Sequence, residues 1–100
     1  MKPAAKSSTS FTWRHLKLRA VHTPNYINQG WSHIELHVVA PKDAPCPLTV
    51  TGYRSHFLDG ADLRKAGGAV AFFTAWLDRE AATKAWARAE AKWRQLDLFG

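Results

Sequence analysis

His33, Glu35 and His37 stand at alternate positions of the run Trp31–Ala40, so a strand there carries two imidazoles and a carboxylate on one face. Two histidines and a carboxylate are a known metal-ligand set, and His15 or His56 can join them from neighbouring strands. The same alternation is what the solvent face of any antiparallel strand shows, so a solvated or cross-strand-paired face is the competing explanation. A second group follows Gly52: Tyr53 supplies a ring for stacking, and Arg54 and His56 supply polar or cationic groups, the chemistry of a ligand or nucleic-acid contact. Alternation puts Tyr53, Ser55 and Phe57 on one face and Arg54 and His56 on the other. The alternative is a strand entering a loop, with Tyr53 and Phe57 packed in the core.

Nothing points to catalysis. Cys46 lies between two prolines without a recognisable signature, and a lone thiol is more often structural. The neighbours Ser55 and His56 say nothing about a triad, which is defined by geometry. Gly67-Gly68 lacks the flanking pattern of a phosphate-binding loop. The expectation is a protein that is not an enzyme and needs no cofactor.

The last residues, Gln95-Leu96-Asp97-Leu98-Phe99 and then Gly100, put three large apolar side chains at a free end. Leu96 and Leu98 are two apart, which is not a helix-face spacing. A short extended peptide loses little ordering entropy, and burying Leu98 and Phe99 is worth roughly 3–6 kcal/mol before the costs of association. That suits a micromolar tether. Gln95 adds amide hydrogen bonds, and Asp97 helps fix the turn of the peptide. The competing explanation is a helix end folded back on its own core. All five positions resemble the clamp-binding motif of bacterial replication and repair proteins, Q-L-[S/D]-L-F. The resemblance implies that the Gln occupies a small polar subsite of the bacterial sliding clamp, while the Leu-Phe pair fills a hydrophobic cleft between clamp domains. It covers residues 95–100 only.

These groups need elements to hold them. Residues 1–10 lack apolar periodicity and read as a flexible tail. From Thr12, Leu16, Leu18 and Ala20 alternate with His15, Lys17 and Arg19, which is a half-buried strand. Ile34, Leu36 and Val38 mark a second strand within Trp31–Ala40, and the proline-rich stretch 41–47 cannot continue a ladder. A third strand is expected over 48–57. Beyond Asp59-Gly60 the pattern turns helical. Residues 61–66 make a short turn stopped by Gly67-Gly68, and Val70, Phe73, Trp76 and Leu77 form a helix stripe. The alanine-rich segment to Gln95 has strong helix propensity, with Trp86 and Trp93 on one face and Thr83 as a plausible N-cap dividing the region in two. The expected fold class is α+β: a small three-stranded antiparallel sheet followed by two or three helices packed on one face, with a single domain over 11–94.

Thr51-Gly52-Tyr53-Arg54-Ser55-His56-Phe57, with Gly67-Gly68 and Ala75-Trp76-Leu77-Asp78, also resembles small uncharacterised proteins of bacterial plasmids, phages and integrative elements. That resemblance spans residue 48 to the C-terminus, carries no activity, and implies a mobile-element setting.

The net charge of +6 and pI near 9.9 permit a nucleic-acid or anionic partner, but the cations are spread from Lys2 to Arg94 without a block. A lone cysteine, no apolar leader, and a longest apolar stretch of 69–77 point to a reduced, cytoplasmic protein with no membrane contact. The function expected is a monomeric binding module docked on the sliding clamp, with DNA contact possible. The alternatives are a small basic nucleic-acid-binding protein or a metal-binding protein built on His33, Glu35 and His37.

Overall fold

The computed structural model describes residues 6–26 and 30–99, and of residues 26 and 96–99 the backbone only. Four strands, β1 (Ser7–Trp13), β2 (Leu16–Tyr26), β3 (Trp31–Ala40) and β4 (Tyr53–Asp59), form one antiparallel sheet in the order β1-β2-β3-β4. Three helices follow, α1 (Gly60–Ala66), α2 (Ala69–Ala81) and α3 (Lys84–Phe99). The class is the expected α+β, but the sheet has four strands where three were expected.

The extra strand is β1, which begins inside the segment read as a tail. Ser7 to Ser10 pair with His22 to Arg19 through the backbone ladder, and only Phe11 and Trp13 at the end of the strand pack on the core. The chain reverses at Arg14-His15, with Trp13 opposite Leu16 and Arg14 in the left-handed region at φ 51°. A non-glycine residue in that region is strained. Tertiary contacts hold it: one guanidinium nitrogen of Arg14 donates to both carboxylate oxygens of Glu90, at 3.2 and 3.1 Å, and the guanidinium carbon lies 4.6 Å from the Trp13 ring centroid. The strand expected over 48–57 starts only at Tyr53. Before it, Thr49 Oγ1 gathers the N–H groups of Thr51, Gly52 and Tyr53 at 3.1–3.2 Å and donates to the Tyr53 carbonyl at 2.8 Å, which makes a turn instead of a ladder.

The core lies between one face of the sheet and the helices. Leu16, Leu18, Ile34 and Leu36 from the sheet, with Phe73 and Leu77 from α2, are the fully buried large side chains. Trp13, Ala20, Cys46, Leu48, Leu58, Leu63 and Trp86 complete the buried cluster. Each helix has identifiable punctuation. Asp59 caps α1 by accepting from the Ala61 N–H at 2.7 Å, and Gly67 closes it at φ 95°, a conformation glycine adopts without a Cβ penalty. Thr83 does cap α3, accepting from the Trp86 N–H at 3.1 Å, so the region from 69 onward is two helices.

Candidate functional site

The period-2 alternation of the strands divides the sheet into two faces. Ser32, Ile34 and Leu36 are buried under the helices, which leaves Trp31, His33, Glu35 and His37 on the opposite face. The structure therefore brings His33, Glu35 and His37 together as expected, but not as a metal site. Among the described residues no group of three His, Cys, Asp or Glu side chains is placed to hold a metal ion. Instead Glu35 sits between the imidazoles, with Oε1 3.3 Å from His37 Nε2 and Oε2 3.9 Å from His33 Nδ1. These side chains are also less solvated than a plain outer face would be. The Phe57 ring lies 4.5 Å from His33 and the Tyr53 ring 5.0 Å from His37, centroid to centroid. The neighbouring strand β4 thus partly roofs the histidine row.

The trio Tyr53, Arg54 and His56 is split. Arg54 and His56 turn toward the helices, where the Arg54 guanidinium lies 4.8 Å from the Trp76 ring centroid and donates to the Leu48 carbonyl at 3.1 Å. His56 stacks on Phe72 at 5.5 Å and meets Trp76 edge-on at 5.2 Å. Burial, aided by the positive charge of Arg54, lowers the His56 pKa and favours the neutral ring in this aromatic nest. Tyr53 faces the other way, and so does Phe57. The alternative that packed Tyr53 and Phe57 into the core is therefore corrected: both are exposed, at 44% and 51%. On the helix side of β4 Leu58 is buried and His56 half-buried, while Arg54 stays exposed at the edge.

Cys46 is buried, and desolvation pushes its thiol up, away from the thiolate a nucleophile needs. His22 Nε2 lies 2.9 Å from the buried Ser32 hydroxyl, and burial lowers its pKa too. Among the described residues no helix is long and apolar enough to cross a membrane.

Residues 95–99 form the end of α3, so their backbone is helical rather than extended. The helix is fixed near its start. Trp86 is buried with its ring 6.1 Å from that of Trp13, and Glu90 is nearly buried in its pairing with Arg14. Beyond Glu90, Ala91, Lys92, Arg94 and Gln95 are all exposed and Trp93 is half-buried. The side chains of Leu96, Asp97, Leu98 and Phe99, and Gly100 altogether, lie outside the described residues.

Sequence reasoning missed one group. Trp31, at 42% exposure, shares the open sheet face with Tyr53 and Phe57, and Lys17 and Arg19 lie on the same face of β2. Period-2 alternation already assigns Trp31 to the histidine side of β3; what it does not say is which face the helices leave uncovered.

Residues 6–86 match the family model described as the KlcB third domain. No curated protein and no solved structure matches the chain.

Proposed function

Since the chain belongs to the KlcB third-domain family, we propose that it is a non-enzymatic binding module of a plasmid or related mobile element, tethered to the bacterial sliding clamp through Gln95, Leu96, Asp97, Leu98 and Phe99. The observation that carries this is the five-position match to Q-L-[S/D]-L-F in residues that lie past the family domain and past Glu90, the last buried residue among those described in α3. The family's plasmid association supports a setting in which an element recruits the replication machinery of its host.

The geometry suits presentation. Thr83, Trp86 and Glu90 fix the base of α3, and after them Ala91, Lys92, Arg94 and Gln95 are exposed. Docking as an extended peptide unwinds the last turn of the helix. The last four carbonyls of a helix have no intrahelical partner, so this end opens at low cost. Burial of Leu98 and Phe99 then contributes to the affinity, beside the amide hydrogen bonds of Gln95.

Competition tests the reading. A synthetic peptide with a Q-L-[S/D]-L-F sequence, added to a complex of the chain with purified clamp, is expected to displace the chain completely. Formation of a ternary complex of clamp, peptide and chain would show that the contact lies elsewhere.

A further inference from the structure

The open face of the sheet carries three exposed aromatic rings on two adjacent strands, and the proposed clamp tether makes no use of them. Tyr53 and Phe57 are four residues apart on β4, about 13 Å along the strand. Trp31 pairs with Asp59, two residues beyond Phe57 on the neighbouring strand, so the three rings mark out a line of about 20 Å. The rings are braced from beside: His33 packs on Phe57, and His37 meets Tyr53 edge-on.

Cations and carboxylates both stand on this face. Lys17 and Arg19 are exposed on β2, with Arg19 directly across from His37. The carboxylates of the same face are engaged within the protein, Glu35 between His33 and His37, and Asp59 as the cap of α1. Exposed rings in a row on a face that also carries exposed cations are what unpaired bases and their phosphates require. A duplex keeps its bases stacked inside and offers a flat sheet only its backbone. A second copy of this chain fits the face poorly, because each copy brings a charge of +6.

We propose that Trp31, Tyr53 and Phe57, with Lys17 and Arg19, form a stacking platform for single-stranded DNA, the nucleic acid that a plasmid-associated protein meets. Anisotropy of a labelled oligothymidylate of about 15 nucleotides, a length matched to platforms of this kind, tests it on the full chain at low salt. The single strand binds more tightly than a duplex of equal length. Each of Trp31→Ala, Tyr53→Ala and Phe57→Ala weakens binding by about tenfold, while Tyr53→Phe, which keeps the ring, does not. Arg19→Gln lowers the slope of log affinity against log salt by about 0.7, whereas Arg79→Gln, on exposed α2, leaves it unchanged. All three ring positions are exposed, so circular dichroism of the variants matches the wild type. Leu98→Ala/Phe99→Ala binds the oligonucleotide normally, which separates this result from clamp docking. Equal affinity for duplex, indifference to the ring substitutions, or tighter binding of the matching oligoribonucleotide overturns the proposal. Concentration-dependent dimerisation abolished by the same ring substitutions also overturns it, and assigns the face to a second copy.

Discussion

The two halves of α3 are built from similar residues and do different work. In the first half, Thr83 caps the helix, Trp86 fills the core against Trp13, and Glu90 clamps Arg14 in its strained turn. In the second half Lys92, Arg94 and Gln95 meet solvent, and Trp93 is only half covered. One half ties the helix to the domain, and the other leads into the segment proposed to dock on the clamp. Stability and docking should therefore be separable within a single helix.

The strongest way to break that contrast is to remove the anchor. Trp86→Ala should cost about 3–5 kcal/mol, the range for truncating a buried aromatic, and lower the denaturant midpoint without changing the clamp affinity of the molecules that stay folded. Thr83→Ala removes the cap and should cost about 1 kcal/mol in thermal or denaturant unfolding. Glu90→Gln weakens the hold on Arg14. Because the Arg14 side chain is 43% exposed, the expected loss is below about 1 kcal/mol.

Acid should also act on the body of the domain rather than on the end of α3. His22 and His56 have pKa values lowered from the ordinary 6.5, in both cases first by burial and for His56 also by Arg54. Below 6.5 the unfolded chain takes up protons that these two folded rings resist, so it binds more protons than the native state. Their contribution to stability is then complete above 6.5 and shrinks as the pH falls through and below it. Unfolding curves between pH 7.5 and 5 should show a falling midpoint, and His56→Phe, which keeps a flat ring in the nest, should reduce that slope. The smallest change expected is for Leu98→Ala/Phe99→Ala, which should leave unfolding within about 0.5 kcal/mol of the wild type.

β3 and the Leu16–Ala20 part of β2 were legible in the sequence, as were the glycine stop after α1 and the Thr83 cap, whereas the turn-rich residues from His22, which read as a loop, continue β2 to Tyr26. The strand β1 was not, because Ser7, Ser8, Thr9 and Ser10 have no apolar rhythm and pair through the backbone alone. Its hairpin was hidden as well. Arg14-His15 contains none of the residues that signal a turn, and the contacts that hold Arg14 come from Glu90, far along the chain. For the candidate sites, period 2 correctly separated Tyr53 and Phe57 from Arg54 and His56. Which face is covered depends on where α1 and α2 pack, so an aromatic pair whose period-2 spacing reads as core turned out to be exposed. The resemblance over 95–99 rests on residue identity alone, and the helical backbone of that segment was not foreseen.

The most direct measurement is a calorimetric titration of purified sliding clamp with the full chain and with Leu98→Ala/Phe99→Ala. Micromolar binding by the wild type and no detectable heat with the double variant is the predicted result. Equal affinities for the two proteins, or no binding by either, would contradict a tether at the end of α3.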